Sequence, residues 1–534
     1  MKSTGPLLID TGRGFSILYN NRHLYSPTEP EERAIVRSNQ ALLQSDTLYI
    51  LSSPLLFYGV KELLLRLPVN SYIICFEYSK LLLKLSKDHI PEYLLNSKVC
   101  TLIDTTDRQD IFNTIEILGI WNFRRVKALN FTGGYSLQSS EYKTILHKID
   151  AKIQEYWKNR MTLIHMGPLW IRNIFLNLFK LNKNKLINYT YPHTKCPVIV
   201  TGAGESLENS ISFIKKNRKF IKILAVDTSI SVLVKNEIQP DYVIAVDAQI
   251  YNFYDFLDVK NREIPLFFDI TGYNGIPAVL NGTIYPFISN FADTMLLKRL
   301  EQHDLLPERL PALGSVGLTA IYLALKITTN SIFYTGLDFA YKIGKSHANG
   351  SPRNISEMIS TSRLNPMEQP EIYFARPLIK HKDKFGTNCI TDLILASYAE
   401  LMNDSFKDSM RLYDIGTAGL NSGGLLTETV TISFKNICQN DIITERRGND
   451  NQLSRLSEFT RAEIKLLRNL YDSVFKYLSG EPINSNDILD LLSKTDYLYL
   501  HFPDKSPEPS LETGFLKRIL VSCAYYMNIL ERYN

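Results

Sequence analysis

Two glycine-rich turns offer places where a negatively charged ligand could bind. In the first, Gly202, Gly204 and Ser206 follow the apolar run VIVT and open a segment with helical periodicity. There a phosphate can approach backbone N–H groups, the serine can donate its hydroxyl, and the helix dipole favours an anion. A tight strand–helix turn is the alternative, but the strand–turn–helix context favours a ligand. Leu207 stands where dinucleotide-binding turns carry a third glycine, so we predict a mononucleotide rather than NAD.

The second turn lies further along the chain. Ser315 and Gly317 open the apolar helix LTAIYLALKI, and their small size and unpaired N–H groups predict an anion site that faces the first. The next predicted strand ends at Gly336, and Asp338 follows it.

Carboxylates follow two further strands. Asp227 and Thr228 end one strand, and Asp247 ends the next. Side chains there can accept hydrogen bonds from ribose hydroxyls or hold a metal ion. Helix caps or ordinary strand-end acids are the alternative, and the pattern leaves both open.

Two histidines are candidates for acid–base chemistry. His347 lies in a polar, glycine-bearing loop after the strand that ends near Asp338. A histidine beside a strand-end aspartate is a candidate acid or base, although a single loop histidine is often only solvated. His381 is the second candidate. We expect residues 348–390 to form an irregular lid over the site.

These residues need a scaffold that gathers strand ends. Between about residues 195 and 429, strands and helices alternate, which predicts a doubly wound, mainly parallel sheet. Such sheets bind ligands outside the carboxyl ends of their strands. We predict an α/β protein with two Rossmann-like, doubly wound domains (1–155 and 156–435) and a C-terminal helical region (436–534).

The N-terminal half has the same alternation but lacks a glycine turn. Ser52, Ser53 and Pro54 follow its first buried strand, and Glu77 follows the second. We therefore expect an absent or degenerate cofactor site, with Glu77 a solvated strand-end acid. Residues 143–180 are predicted to form helices that join the halves.

The composition is that of a globular protein. The 534 residues are 45% hydrophobic and 22% charged, and the net charge of +5 gives no case for nucleic acid. The six cysteines are widely spaced, so we expect no zinc site and no disulfide framework. We find no signal peptide and no run of apolar residues long enough to enter a membrane, and we expect a cytoplasmic protein.

The order of these motifs over about residues 10–430 resembles the motility accessory factor family, bacterial glycosyltransferases that modify flagellin. The resemblance rests on LYSP, VIVTGAGESL, IQPD with a following VD, GSVGLTAIYLAL and YTGLDFAYKIGKSHANG. The central domain of that family is similar to bacterial sialyltransferases that use a CMP-sugar, and to an archaeal pterin diphosphokinase.

The resemblance implies transfer of a pseudaminic or legionaminic type of nonulosonic acid from its CMP form to Ser or Thr of flagellin. The glycine turns would hold the nucleotide end of the donor, with no tightly bound cofactor and any divalent metal left open. Glu205 stands where the family has Pro, and its charge is expected to repel the donor phosphate. The segment FGTN (385–388), which matches the lid stretch of the sialyltransferases, carries no catalytic histidine.

Two other functions stay open. A magnesium-dependent pterin diphosphokinase would use Asp227, Asp247 and Asp338 as carboxylate ligands. A non-catalytic flagellin-binding protein would need none of this chemistry.

Overall fold

The computed structural model describes residues 5–182, 187–341, 345–364, 377–426, 437–438, 452–504 and 506–532. The chain forms two compact units. The first comprises Met1–His165 with Leu500–Glu508, and the second comprises Met166–Tyr499 with Pro509–Asn534. The predicted division into three domains stays a prediction.

The first unit contains a four-stranded parallel sheet in the order β6-β5-β4-β7 and a separate antiparallel sheet, β1-β2-β3. Its strands are β1 Leu7–Asp10, β2 Phe15–Tyr19, β3 Arg22–His23, β4 Thr47–Ser52, β5 Tyr72–Phe76, β6 Cys100–Leu102 and β7 Arg125–Leu129. Its helices are α1 Pro30–Gln40, α2 Val60–Leu65, α3 Lys80–Asp88, α4 Glu92–Leu95 and α5 Gln109–Leu118. Every residue of β4 is buried, as expected for a strand covered on both faces.

A single helix of 44 residues, α6 Ser139–Asn182, follows β7. The prediction of several helices over residues 143–180 was therefore wrong. Pro168, which favours a helix break because it lacks an N–H donor, lies inside the continuous helix. Tertiary packing outweighs that local preference here.

The second unit is built on a nine-stranded parallel sheet in the order β13-β12-β11-β10-β9-β8-β14-β17-β18. Its strands are β8 Val198–Thr201, β9 Lys222–Val226, β10 Tyr242–Ala245, β11 Leu266–Asp269, β12 Ile284–Asn290, β13 Glu308–Pro311, β14 Ile332–Thr335, β17 Leu412–Asp414 and β18 Leu425–Leu426. A two-stranded antiparallel hairpin, β15 Leu378–Lys382 and β16 Asn388–Asp392, is separate from this sheet.

Helices flank the large sheet and form the C-terminal part of the chain. They are α7 Ser206–Asn217, α8 Ile230–Lys235, α9 Met295–Gln302, α10 Val316–Ile327, α11 Pro352–Ser360, α12 Leu393–Phe406, α13 Gln452–Leu478, α14 Ser485–Lys494 and α15 Thr513–Glu531. Helix α10 is predominantly apolar and belongs to the main core with the buried residues of β8, β9 and β14. The predicted fold class, two α/β regions with parallel sheets followed by helices, is confirmed. No helix in the described ranges is both long and apolar enough to cross a bilayer.

Cys196 and Cys438 form a disulfide across 242 residues of sequence. The sequence analysis, which expected no disulfide framework, did not predict this single pair. Short-range spacing cannot indicate this pair because only the tertiary fold brings its members together, with their Cα atoms 5.5 Å apart.

Candidate functional site

The strand order of the large sheet reverses between β8 and β14. The chain first winds from β8 through β9 to β13, and then returns to place β14 on the other side of β8. In open α/β sheets, ligands bind beside the carboxyl ends of the strands at such a point. The turns that follow β8 and β14 meet there, and the Gly204 N–H donates to the Gly336 carbonyl oxygen at 2.8 Å.

A cavity of about 360 Å³ opens at this edge. All the predicted site residues except Ser206 and His381 line it: Gly202, Gly204, Asp227, Thr228, Asp247, Ser315, Gly317, Gly336, Asp338 and His347. The structure thus gathers residues from β8, β9, β10, α10 and β14 that are up to 145 positions apart in the sequence, from Gly202 to His347. We name this cavity the inner lobe.

The first glycine turn is closed by the protein itself. Ser206 is fully buried, its N–H donates to Asp338 Oδ2 at 2.9 Å, and its hydroxyl donates to Asp338 Oδ1. A carboxylate therefore occupies the helix N-terminus that the sequence assigned to a ligand phosphate. This corrects the prediction that Ser206 offers a free hydroxyl. Burial raises the pKa of Asp338 to about 6, against the opposing effects of the Ser206 hydrogen bonds and the Lys384 charge.

The glycines are required by packing between turns. A Cβ atom on Gly204 would lie 2.5 Å from Asp338 Oδ2, and one on Gly317 would lie 2.5 Å from the Leu337 side chain. Gly202 and Gly336 leave no room for a Cβ atom because each lies against the other's backbone. The tight-turn alternative therefore accounts for all of these glycines without a ligand.

The second turn is open. Helix α10 has no acidic residue in its first turn, and the Ser315 side chain makes no cap hydrogen bond. Among the described residues, the N–H groups of Val316, Gly317 and Leu318 have no hydrogen-bond partner. Val316 and Gly317 line the inner lobe. Unpaired N–H groups at the positive end of a helix dipole favour an anion.

Two acids that line the inner lobe share one amide donor. The Asn252 side-chain amide donates to Asp227 Oδ2 at 2.9 Å and to Asp247 Oδ2 at 3.0 Å. Asp247 is an exposed residue that opens to the inner lobe. Partial dehydration by the neighbouring protein, together with the Asp227 charge, raises its pKa to about 6. The pKa of Asp255 is raised to about 8, first by burial and then by the charges of Asp227 and Asp247. The described ranges contain no group of three or more His, Cys, Asp or Glu residues suited to holding a metal ion.

A second cavity of about 680 Å³, the outer lobe, shares His347, Ser346, Tyr341, Ala340 and Asp338 with the inner lobe. His347 thus lies where the two lobes meet. Burial lowers its pKa, so the imidazole is neutral near pH 7 and able to accept a proton. We expected Asp338 to act beside this histidine, but the Asp338 carboxylate bonds Ser206, and the His347 ring bonds Ser346 instead.

His381 lies outside both lobes. It is an exposed residue of β15, and its Nδ1 contacts the Lys382 carbonyl oxygen at 2.7 Å. Successive side chains of a strand point to opposite faces, and the preceding residue, Lys380, is the one that lines the outer lobe. Glu205 lines the outer lobe too, away from the inner one.

The lid segment is more regular than we predicted. Helix α11 and most of the β15–β16 hairpin lie within residues 348–390, although residues 365–376 fall outside the described ranges. Ser351 caps α11 by accepting from the Asn354 N–H, and Pro352 occupies its first turn. These start signals were present in the sequence, and the prediction overlooked them.

The sequence analysis also missed a buried ion pair. Lys384, in the hairpin turn, places Nζ 2.7 Å from Asp414 Oδ2, and both side chains are almost completely buried. The two residues are 30 positions apart, so no local pattern indicates their pairing. The ion pair fixes the hairpin turn to the end of β17.

Glu77 in the first unit was also misassigned. It is buried rather than solvated. Its Oε2 accepts from the Ser53 hydroxyl at 2.5 Å, and its Oε1 accepts from the Ser79 N–H at 2.8 Å. The carboxylate therefore connects the end of β4 to the N-terminus of α3. Burial raises the pKa of Glu77, and the Ser53 hydrogen bond opposes that shift.

Comparison with known proteins gives one family-model match and one structural likeness. A model described as 6-hydroxymethylpterin diphosphokinase MptE-like matches residues 172–344. The structure of the MAf glycosyltransferase from Magnetospirillum magneticum AMB-1 is similar, with a TM-score of 0.57 and 11% sequence identity. That likeness covers 99% of this chain and 87% of the other, and at this identity it establishes the fold. The fold resemblance to a MAf glycosyltransferase and the pterin diphosphokinase-like character of the central region are thus confirmed.

Sequence relatives occur in Treponema pallidum (strain Nichols). One uncharacterised protein is 29% identical over 99% of this chain and 96% of its own length. A second uncharacterised protein is 32% identical, but it aligns with 21% of this chain and 57% of its own length. The first relative therefore extends the similarity to nearly the whole chain.

Proposed function

We propose that this protein is a glycosyltransferase that moves a sugar from a nucleotide-activated donor to a hydroxyl group of a protein acceptor. The observation that carries the proposal is the meeting of two lobes at one neutral histidine. One lobe has an open helix N-terminus suited to a phosphate, and the other gives a second substrate access to the same imidazole.

The donor phosphate is assigned to the N-terminus of α10. The N–H groups of Val316 and Gly317 can stabilise the negative charge that develops on the leaving nucleotide. The turn at Gly204 also lines the inner lobe, but its own helix start is occupied by Asp338. Asp247, which is exposed in the inner lobe, is placed to accept from sugar or ribose hydroxyls. Asp227 also lines this lobe, but its oxygens already accept from Thr228 and Asn252.

The acceptor hydroxyl is assigned to the outer lobe. Its oxygen would attack the anomeric carbon of the donor, and its proton would pass to His347. The bond between the anomeric carbon and the phosphate oxygen breaks, and the nucleotide leaves with the bonding electrons. A neutral imidazole is the form that can accept this proton. The lobes must exclude water, because water at the acceptor position would hydrolyse the donor.

At the finer level, we propose a CMP-activated nonulosonic acid as the donor and a Ser or Thr hydroxyl of flagellin as the acceptor. The resemblance to the motility accessory factor family and the fold shared with a MAf glycosyltransferase support this choice. The missing third glycine supports a mononucleotide.

Nucleotide binding provides the first test. We expect CMP to bind, and Ser315→Asp to weaken binding by at least roughly tenfold, because the new carboxylate would occupy the α10 N-terminus. Asn484→Asp introduces the same charge at the N-cap of α14, outside both lobes, and should leave the affinity unchanged. Calorimetry measures the CMP affinity of the wild type and of each variant, and a separate titration tests ATP with magnesium. Binding of ATP–magnesium and no CMP would favour pterin diphosphoryl transfer, which the family-model description supports.

Glycosyl transfer provides the second test. We expect His347→Gln to reduce transfer by ~10²–10⁴-fold while CMP binding persists, since the base acts on the acceptor. His381→Gln is the matched control and should transfer normally. Intact-mass measurement of flagellin incubated with CMP-activated nonulosonic acids reads the product. Normal transfer by His347→Gln would remove the histidine from the mechanism, and binding of CMP without transfer by the wild type would favour a non-catalytic protein.

A further inference from the structure

We propose that Ser346 and Glu357 form a relay that holds His347 in one tautomer, with Nδ1 protonated and Nε2 free to accept a proton. Only the predicted effect of the relay on the transfer rate rests on the proposed function. The tautomer of His347 can be tested without any substrate.

The relay is a continuous chain of hydrogen bonds. His347 Nδ1 lies 2.9 Å from Ser346 Oγ, and the Ser346 hydroxyl donates to Glu357 Oε1 at 2.7 Å. A serine hydroxyl has a single proton. Because that proton goes to the carboxylate, the proton between serine and imidazole must belong to Nδ1.

The tautomer matters because the two ring nitrogens then have different tasks. With the proton on Nδ1, the lone pair is on Nε2, which has no hydrogen-bond partner within the described ranges. His347 lines both lobes. An imidazole fixed in the other tautomer would present a donor where the reaction needs a base.

Backbone contacts hold the histidine loop against α7 and the end of β8. The Ala348 N–H donates to the Ala203 carbonyl oxygen at 2.7 Å, and the Asn349 N–H donates to Glu208 Oε1 at 2.5 Å. These bonds restrain the backbone on the C-terminal side of His347, so its remaining freedom is rotation of the ring. Ser346 restrains that rotation.

The burial of the Glu357 carboxylate costs free energy. It is a residue of α11 with only 8% exposure, and the Arg353 Nε–H donates to its Oε1 at 2.9 Å. Its other oxygen, Oε2, is buried without a hydrogen-bond partner among the described residues. A buried polar atom without a partner is destabilising, so packing alone does not explain a carboxylate here. Glu357 and Arg353 are the charged groups that act on the imidazole, in opposite directions.

The tautomer can be measured directly. We expect the ¹⁵N spectrum of protein labelled at histidine to show His347, assigned by its loss in His347→Gln, with a protonated Nδ1. In Ser346→Ala that preference should disappear, and in Ser346→Thr, which keeps a hydroxyl, it should remain. Ser360→Ala, on α11, removes a hydroxyl that bonds the Glu357 backbone carbonyl and is the matched control. A wild-type His347 protonated at Nε2, or a tautomer unchanged in Ser346→Ala, would overturn the relay.

Kinetics separate positioning from general structural support. We expect Ser346→Ala to lower kcat for transfer on the order of tenfold with little change in KM for the donor, and Ser346→Thr to restore kcat.

The pH dependence of kcat tests Glu357. Glu357→Gln removes a charge that raises the pKa of His347, so the acid limb of the plot of kcat against pH should move to lower pH. An equal loss in Ser346→Ala and Ser360→Ala, or an unmoved acid limb in Glu357→Gln, would contradict the relay. Absence of transfer by the wild type would refute the proposed function and leave the tautomer result to decide the relay.

Discussion

Both parallel sheets contain a buried carboxylate that follows one strand and bonds a serine that follows the neighbouring strand. In the first unit Glu77 bonds Ser53, and in the second Asp338 bonds Ser206. Each carboxylate also accepts from a backbone N–H at a helix start. In the second unit the carboxylate occupies the start of the helix after β8, where many Rossmann-like folds bind phosphate. In the first unit it bonds the N-cap residue of α3, the helix that follows its own strand.

The two units differ in what surrounds the bonded serine and carboxylate. In the second, α10 and the ends of β9 and β10 extend the site into the inner lobe. In the first, a shallow concavity of about 840 Å³ lies along β7 and α6, and the strand-end residues Ser53 and Glu77 do not line it. The second unit teaches that a glycine turn after a strand does not by itself make a phosphate site, because a carboxylate of the protein can occupy the helix start beside it.

The most severe test of the comparison removes the two carboxylates. We expect Asp338→Ala and Glu77→Ala each to lower the free energy of unfolding by about 3 kcal/mol, because each leaves a buried serine and a backbone N–H without an acceptor. Chemical denaturation followed by circular dichroism measures both. If only one variant has a lower free energy of unfolding, the two carboxylates are not structurally equivalent.

A smaller loss is expected from Gly204→Ala. The new methyl group would lie 2.5 Å from Asp338 Oδ2, so it should destabilise the second unit by about 2 kcal/mol. Gly514→Ala is the matched control, since no atom lies within 4 Å of its Cβ position. A ligand-binding glycine would behave differently, with full stability and weakened CMP affinity.

The pH dependence of stability isolates the charge of Asp338. Its folded pKa of about 6 exceeds that of an ordinary aspartate, so the native state binds the proton more tightly than the unfolded state does. This contribution is present at low pH and is lost as pH rises through 6. Relative to Asp338→Asn, the wild type should lose about 1 kcal/mol between pH 5 and pH 7. A constant difference in unfolding free energy across that range would contradict the raised pKa.

The smallest effect is expected from Glu205→Pro. The φ of Glu205 is −56°, which a proline adopts without strain, and its side chain faces the outer lobe. We expect a stability change within roughly 0.5 kcal/mol and an unchanged CMP affinity in calorimetry. Tighter CMP binding would show that the Glu205 charge reaches the donor phosphate after all.

The sequence could predict the position of the site because strand ends in a parallel sheet must meet at one edge. Residues as distant as Gly202 and His347 were assigned to one cavity on that principle alone. The partners of these residues could not be predicted. Asp338 and Ser206 are 132 positions apart, and nothing local distinguishes a carboxylate that caps a helix from one that binds a substrate. The same limit applies to Glu357, whose partner Ser346 lies on the loop that precedes α11.

The ion pair of Lys384 and Asp414 constrains how this chain can vary over evolution. The lysine reaches its partner from the turn of the β15–β16 hairpin, and the Lys384 N–H also donates to the Gly419 carbonyl oxygen at 3.0 Å. An insertion or deletion between β15 and Lys384 would withdraw a buried charge from its counterion, which is strongly destabilising. Most surface hairpins tolerate changes of length, whereas this one should keep its length even in homologues whose outer lobes have diverged to accept other substrates.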